Sequence, residues 1–252
     1  MRHGLRRLAA RLPVRWQQAL KRRRFARRIR AGRFRVGEPE YDLLPSLVER
    51  GDWVLDIGAN VGHYTLRLSE LVGDEGRVIG FEPVPETFEL LARHAAIAPR
   101  RNITLINAAA SDAPGISTMR VPCAPESGLR NYYRARLTAD AQPAGFGVLT
   151  VPIDSLALSR RVGLVKIDTE GHELRVLRGM ARLLERDRPT LIVEDGDPEV
   201  ERFLGALGYR SEKLAGSCNR IFRPRGAALS GLTPRAERDS VRAPDARDAA
   251  SQ

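Results

Sequence analysis

A chain of 252 residues, with 42% hydrophobic and 6% aromatic residues, has the composition of one globular domain with short appendages. Its two cysteines exclude a disulfide framework, and no stretch reaches the ~18 consecutive apolar residues that a membrane-spanning helix needs. The formal net charge of +11 is uneven: residues 1–36 contain 14 Arg or Lys and no acidic residue, whereas the rest has 28 basic and 31 acidic residues. A nearly neutral body therefore follows a basic N-terminal arm.

The arm, residues 1–36, is predicted to be partly helical, because leucines and a tryptophan recur at helical spacing among arginines. Three roles are open for it: packing on the body, contact with an anionic membrane surface, or contact with RNA. We favour packing, with the membrane surface second. Arg11 and Arg15 interrupt the apolar segment that a signal peptide needs. We therefore expect a cytoplasmic protein, with peripheral contact to the inner face of the membrane as a further option.

Residues 37–223 are predicted to form the folded domain, because apolar runs alternate there with helical patterns. A short amphipathic helix is predicted at 38–50. Buried strands are predicted at 53–57, 77–82, 102–107, 163–168 and 189–194, and helices at 62–72, 85–97, 172–186 and 197–207. This alternation predicts an α/β fold with a mostly parallel sheet and helices on both faces. Residues 209–214 and 219–222 follow without a helix between them, which predicts an antiparallel hairpin at the sheet edge.

Two segments lie outside this alternation. Residues 122–147 are rich in Pro, Gly and Tyr, which predicts a long loop that either serves as a lid or a binding element or is disordered. Residues 224–252 are rich in Arg, Asp, Ala, Pro and Ser without periodicity, which predicts a disordered tail.

The turn after the first strand, at 56–63, reads Asp-Ile-Gly-Ala-Asn-Val-Gly-His. A dinucleotide-binding turn needs Gly-x-Gly-x-x-Gly, and this turn lacks the third glycine. A pyrophosphate favours helix N–H groups without a nearby carboxylate, so Asp56 at the strand end indicates a cationic ligand instead. S-adenosylmethionine has cationic centres and no phosphate. We predict that Asp56, Gly58, Asn60 and Gly62 bind it, the glycines by allowing close approach of the backbone.

Two further acidic residues are predicted to bind the same cofactor. Glu82 ends the next apolar run, twenty residues after Gly62, and can accept hydrogen bonds from both ribose hydroxyls. Asp112 follows the third strand and either accepts a bond from the adenine amino group or is a turn residue. His63 is expected either to contact the cofactor carboxylate or to face solvent.

The run at 166–173, Lys-Ile-Asp-Thr-Glu-Gly-His-Glu, closes the fourth strand. Open α/β sheets bind ligands at this end of their strands, so Asp168, Glu170 and His172 are predicted to face the reacting group. The dipole of the following helix should keep His172 neutral near pH 7, which makes it the preferred general base, with Asp168 second. Glu173 is explained by stabilisation of a helix start alone.

A metal site is an alternative for the same end of the sheet. Glu194 and Asp195 end the fifth strand, and together with Asp168 they offer oxygen ligands for Mg²⁺. This resembles the arrangement in catechol-type O-methyltransferases. We do not favour the metal, because sequence spacing alone does not place these oxygens together.

These segments together resemble the FkbM-type methyltransferases. The resemblance rests on 56–63, on Phe-Glu-Pro at 81–83, on 107–112 and on 166–173, and it covers about residues 50–223. The first run is shared by most class I methyltransferases, whereas the run at 166–173 is more specific to this family. The resemblance implies a seven-stranded Rossmann-like sheet, S-adenosylmethionine as the methyl donor, and usually O-methylation of a small molecule or sugar.

The sequence therefore predicts an S-adenosylmethionine-dependent methyltransferase that acts on oxygen of a small-molecule or glycan acceptor. Tyr132 and Tyr133 in the long loop are candidates for stacking on that acceptor. One alternative is an RNA methyltransferase that binds RNA through the arm. Against it, the sequence lacks the Asn-Pro-Pro or Asp-Pro-Pro run that is typical of many amino-methylating nucleic-acid enzymes. A second alternative is a non-catalytic module that only binds the cofactor.

Overall fold

The computed structural model describes residues 14–123, 131–138, 145–194 and 196–226. The helices are α1 (Val14–Arg30), α2 (Pro39–Leu47), α3 (His63–Val72), α4 (Pro85–Ala96), α5 (Glu173–Arg178), α6 (Ala181–Asp187) and α7 (Pro198–Ala206). The strands are β1 (Trp53–Ile57), β2 (Arg77–Phe81), β3 (Ile103–Ile106), β4 (Ala109–Ala110), β5 (Gly115–Arg120), β6 (Arg136–Thr138), β7 (Phe146–Val151), β8 (Val162–Ile167), β9 (Thr190–Glu194), β10 (Tyr209–Lys213) and β11 (Asn219–Pro224).

Seven strands form the central sheet in the order β10-β11-β9-β8-β1-β2-β3. The five strands from β9 to β3 are parallel, whereas β11 is antiparallel to both β9 and β10. The sheet is therefore mixed. The five predicted strands and the antiparallel edge hairpin are confirmed, although β3, at the other edge of the sheet, is only half-buried.

Helices cover both faces of this sheet, as predicted. Along β1, Leu55 and Ile57 face a core that is completed by α5, α6 and α7. Val54 directly precedes Leu55 and faces the opposite core, which α2 and α3 complete. The period of two along a strand thus separates two apolar layers, and the strands between them are buried on both sides.

The prediction of one helix at 172–186 is wrong, because the structure has two helices there. α5 ends at Arg178 and α6 begins at Ala181. A Cβ on the intervening Gly179 would lie 1.9 Å from the carbonyl oxygen of Ser111, so the backbone comes too close to β4 for any other residue. The break places α5 against the segment that follows β4.

The prediction of one long loop at 122–147 is also wrong in part. A second, four-stranded sheet in the order β4-β7-β5-β6 extends into this region. Its strand β6 and a 3₁₀ turn at Tyr132–Arg134 lie inside the predicted loop, and β7 begins there. Residues 124–130 and 139–144 of the predicted loop lie outside the described residues. The sheet was missed because its strands are short and interspersed with glycine and polar residues.

The arm packs on the body, which is the interpretation that the sequence favoured. Phe25 and Ile29 of α1 lie against a small core that includes Phe34 and Val61. On the same side, Arg22 Nη2 lies 2.6 Å from Glu89 Oε1 on α4. Residues 1–13 of the arm and 227–252 of the predicted tail lie outside the described residues. Within the described ranges, no helix has the length and apolarity to cross a membrane.

Candidate active site

A cavity of about 300 Å³ opens at the carboxyl ends of β1, β2, β8 and β9. Seven of the nine predicted site residues line it. They are Asp56, Gly58, Asn60, Glu82, Asp168, Glu170 and His172. Gly62 and Asp112 are not among the lining residues. The carboxyl edge of a parallel sheet thus gathers residues that are more than 100 positions apart in sequence.

Asp56 is the most buried acid of the cavity wall, with 2% of its surface exposed. Its Oδ2 accepts a hydrogen bond from Thr65 Oγ1 on α3 at 2.5 Å. Burial raises the pKa of Asp56 to about 6, although the bond from Thr65 and the charge of Lys166 act in the opposite direction. The carboxylate is therefore held in a fixed orientation in a site that favours a cationic ligand.

Glu82, at the end of β2, connects two loops of the cavity. Its Oε2 accepts a bond from the backbone N–H of Asn60, and its Oε1 accepts one from the N–H of Val84, both at 2.9 Å. Burial raises the pKa of Glu82 to about 7, whereas the two N–H groups lower it. Each oxygen keeps a lone pair for a further donor, such as a ribose hydroxyl.

The two turn glycines are required by packing, which differs from the reason predicted. Gly58 has a φ of +81°, and a Cβ there would lie 1.8 Å from the carbonyl oxygen of Asp168. Gly62 has a φ of +92°, and a Cβ there would lie 2.7 Å from Leu91 Cδ1. The turn therefore passes tightly between β8 and α4, which brings the loop after β8 to the cavity.

Lys166 connects Asp168, at the cavity wall, to the protein interior. It is 1% exposed, and its Nζ donates to Asp168 Oδ2 at 3.1 Å and to Asn219 Oδ1 at 3.3 Å. The Asn219 amide also donates to buried Glu40 on α2. This network satisfies a buried ammonium group and fixes Asp168, whose side chain is 41% exposed.

Glu173 holds the loop between β8 and α5. Its Oε1 accepts bonds from Thr169 N, Thr169 Oγ1 and Gly171 N at 2.9, 2.8 and 3.2 Å. The carboxylate thus orders the loop, in addition to the favourable position at a helix start that the sequence indicated. Glu170 in this loop has a φ of +53° and lines the cavity.

His172 lines the cavity directly before α5. Its Nε2 lies 2.9 Å from Ser111 Oγ, and this hydroxyl donates to Asp112 Oδ1 at 3.2 Å. We assign the proton of the imidazole to Nε2, because the hydroxyl proton is directed to Asp112; Nδ1 is then free to accept a proton. Burial and, next, the charge of Arg175 lower the pKa of His172. This lowered pKa favours the neutral ring at pH 7, and its main cause is burial rather than the helix dipole that the sequence suggested.

Asp112 contributes to this chain of contacts rather than to the cavity wall. Its Oδ1 lies 3.7 Å from Arg175 Nη1. The predicted contact with an adenine amino group thus has no support from the geometry. Ser111 was not recognised in the sequence, and its position directly before Asp112 was the signal available.

Three acidic side chains meet between β8 and β9. Ligand oxygens of Asp168, Glu170 and Glu194 all lie within 4.8 Å of one another. Burial, and then the neighbouring carboxylates, raise the pKa of Glu194 to about 7. Two of the three predicted metal ligands, Asp168 and Glu194, thus lie close together, and Glu170 is a third acid that the prediction did not include. The other predicted ligand, Asp195, lies outside the described residues.

The second sheet and the 3₁₀ turn close the side of the cavity. Met119, Tyr132, Tyr133 and Leu137 line it there. Tyr133 is 55% exposed, so it lies at the rim. The two tyrosines that were predicted to stack on the acceptor therefore line the cavity, on a 3₁₀ turn that precedes β6.

His63 lines the cavity, so its expected contact with the cofactor carboxylate stays a prediction. Its ring stacks on Phe34 with 4.1 Å between centroids, and Phe25 packs edge-on against it. Burial lowers the pKa of His63 to about 4. The ring belongs to the contact between the arm and the body.

Comparison with solved structures finds partial likenesses. The methyltransferase FkbM from Methylobacillus flagellatus has a TM-score of 0.49 and 17% identity, and the match covers 70% of this chain and 44% of that one. A putative rRNA methylase from Clostridium thermocellum has a TM-score of 0.45 and 16% identity, over 72% and 89% of the two chains.

Comparison of sequences is more specific. The hexuronic acid methyltransferase AglP of Haloferax volcanii is 30% identical over 146 residues, which are 57% of this chain and 56% of AglP. The match thus spans little more than half of that relative's length. The model of the methyltransferase FkbM domain matches residues 56–211, which contain the turn after β1, the Glu82 strand end and the 166–173 run. The chain belongs to the FkbM methyltransferase family.

Proposed function

We propose that this protein transfers a methyl group from S-adenosylmethionine to an oxygen atom of a sugar or a similar small acceptor. The observation that carries the proposal is one cavity that joins buried Asp56 and Glu82 to His172. The seven-stranded sheet with its edge hairpin is compatible with the class I methyltransferase fold. Family membership supports the activity, and the geometry supports the division of the cavity into a cofactor end and an acceptor end.

The cofactor end fits a cationic ligand. Asp56 and Glu82 are buried carboxylates whose pKa values are raised mainly by burial, so a nearby positive charge would stabilise their ionised forms. Backbone N–H groups hold Glu82 with lone pairs to spare for hydroxyl donors. A sulfonium, an ammonium and two ribose hydroxyls match these groups in charge and in hydrogen bonding.

The acceptor end fits removal of a proton from a hydroxyl group. When bound, S-adenosylmethionine supplies an electrophilic methyl group. His172 is neutral at pH 7, and its Nδ1 can take the acceptor proton while Nε2–H remains bonded to Ser111. Asp168, fixed by Lys166, can orient the acceptor hydroxyl or replace His172 as the base. The walls align the two reactants, which is the main requirement of an in-line displacement.

A sugar acceptor is supported by two independent observations. AglP, with which this chain shares 30% identity, is a hexuronic acid methyltransferase. At the rim, Tyr132 and Tyr133 can pack on the apolar face of a sugar ring. Arg134 and Arg136 are exposed beside this rim. Burial raises the pKa of Glu170 and the charges of these two arginines lower it in part, so they lie near the acceptor end.

Methyl transfer from labelled S-adenosylmethionine to fractionated host extract tests the proposal. We expect label in glycan or sugar fractions. The label should be a base-stable methyl ether if the acceptor is a hydroxyl group, or an alkali-labile methyl ester if it is a carboxylate. Label in amines or in RNA would contradict the proposed acceptor. Cofactor binding without label in any fraction would support a non-catalytic module instead.

The His172→Ala variant tests the assignment of the base. It should lower turnover about a hundredfold or more, while the cofactor affinity measured by calorimetry stays unchanged. Arg178→Ala, an exposed change on the helix that follows His172, is the matched control. Full activity of His172→Ala would move the base to Asp168.

A further inference from the structure

Helix α1 has two faces of different character. Its inner face packs on the body through Phe25 and Ile29, and Arg22 pairs there with Glu89. Its outer face follows from the helical period of 3.6 residues. The exposed side chains on this outer face are Trp16, Leu20, Arg23, Arg24, Arg27 and Arg30. We call these six residues the outer face of α1.

The arginines of the outer face are not neutralised by the body. Among the residues that the structure describes, none of these four arginines forms a salt bridge, whereas Arg22 on the inner face does. The sequence has no acidic residue before Glu38, so the arm itself cannot supply a counter-charge. Arg33, just after the helix, is exposed as well and adds to the positive surface. Such a surface attracts a polyanion.

The apolar end of the outer face narrows the choice of polyanion. Trp16 is 57% exposed and Leu20 is 52% exposed, one helical turn apart and in line with the arginines. A tryptophan and a leucine beside arginines are typical of a helix that lies in the interface of a membrane, where the apolar side chains enter the lipid and the arginines meet the headgroups. A nucleic acid offers the leucine no comparable environment.

The outer face adjoins the cavity. Phe25 of the same helix packs edge-on against His63, which lines the cavity. Tyr133 lies at the rim; burial raises the pKa of its hydroxyl group, and the charges of Arg28 and of Arg24 on the outer face lower it in part. A surface that binds α1 therefore lies next to the opening of the cavity.

We propose that the outer face of α1 binds membrane surfaces that contain anionic lipids. The partner is a lipid surface of negative charge, with Trp16 and Leu20 inserted and the four arginines on the headgroups. Binding would keep the cavity rim close to the membrane. The proposal does not depend on the methyl acceptor, because docking requires no turnover.

Co-sedimentation of the full chain with vesicles tests the proposal. We expect binding to vesicles of equal parts phosphatidylcholine and phosphatidylglycerol, no binding to phosphatidylcholine alone, and release by high salt. The double variant Arg23→Gln/Arg27→Gln should weaken binding by about tenfold or more, since each arginine near an anionic surface contributes about fivefold. The double variant Trp16→Ala/Leu20→Ala should also weaken it, and the remaining binding should become more sensitive to salt.

A matched control separates the outer face from net charge. Arg160→Gln/Arg210→Gln removes the same charge from exposed positions elsewhere and should leave vesicle binding unchanged. Equal loss in this control, equal binding to neutral vesicles, or salt-sensitive binding to RNA without binding to anionic vesicles would each overturn the proposal. Unchanged cofactor affinity in calorimetry would establish that the variants are folded.

Discussion

Ser111 Oγ lies 2.9 Å from Nε2 of His172, although the two residues are 61 positions apart. Ser111 follows the short strand β4 and is 4% exposed, while His172 ends the loop before α5. The close packing of Gly179 on the Ser111 carbonyl brings these two segments together. The contact gives the imidazole one defined proton position, and we therefore assign Ser111 as a positioning residue for the proposed base.

The Ser111→Ala variant should lower turnover about tenfold, because Nε2–H would lose its buried acceptor. The pKa of His172 should fall further, since its charged form needs acceptors for both N–H groups. The base is active only when neutral, so the acid limb of the pH–rate profile should move to lower pH. Ser111→Thr keeps a hydroxyl and should retain most activity. Ser155→Ala, at an exposed position, is the control. If Ser111→Ala and Ser155→Ala have the same pH–rate profile, Ser111 does not position His172.

Cofactor affinity should depend on pH through two buried carboxyl groups. Burial raises the pKa of Asp56 to about 6 and that of Glu82 to about 7. A cationic ligand favours the ionised forms, so it lowers both pKa values on binding. Affinity should therefore be constant above about pH 7 and fall as the pH drops through about 7 and then about 6.

Calorimetry across this range measures the effect. Asp56→Asn keeps the size of the side chain and an acceptor for Thr65, and it should weaken binding and make the dependence on pH shallower. Glu194→Gln, a change at the acceptor end, should leave the dependence unchanged. An affinity of the wild type that is independent of pH would disprove the assignment of these two carboxyl groups.

Sequence patterns predicted the parts of this molecule that depend on local order. The five parallel strands are mostly apolar, and Asp56, Glu82 and Asp168 lie at or just after their carboxyl ends, so the meeting of these acids follows from the parallel sheet itself. The role of Ser111 depends instead on a contact between distant segments. No local pattern reports such a contact.

The second sheet and the stacking of His63 on the arm were missed for related reasons. β6 has three residues, too few for a visible alternation, and it pairs with β5 across a segment rich in proline and glycine. His63 follows the glycine turn, where a ligand contact is a reasonable expectation. Its partner Phe34 comes from the arm, which the sequence alone could not place.

Gly58→Ala should destabilise the fold as well as the cavity. The added Cβ would lie 1.8 Å from the Asp168 carbonyl oxygen at a φ of +81°. Strain and steric overlap together should lower the free energy of unfolding by about 3 kcal/mol or more. Gly51 has a φ of +90°, and no atom lies within 4 Å of a Cβ built there. Gly51→Ala should therefore lower the free energy of unfolding only by the backbone strain, about 1 kcal/mol. Thermal unfolding of both variants measures the difference, and equal losses would contradict the close approach.

The acidic cluster should function without a divalent cation. Asp168, Glu170 and Glu194 could offer oxygen ligands, yet the protein already balances their charge in two ways. Lys166 Nζ lies 3.1 Å from Asp168 Oδ2, and the raised pKa of Glu194, about 7, lets that group hold a proton at neutral pH. Chelator-treated protein should therefore transfer methyl groups within about twofold of the untreated rate, and Glu194→Gln should reduce it less than about tenfold. Loss of activity on chelation that Mg²⁺ restores, with no restoration in Glu194→Gln, would instead identify these three acids as metal ligands.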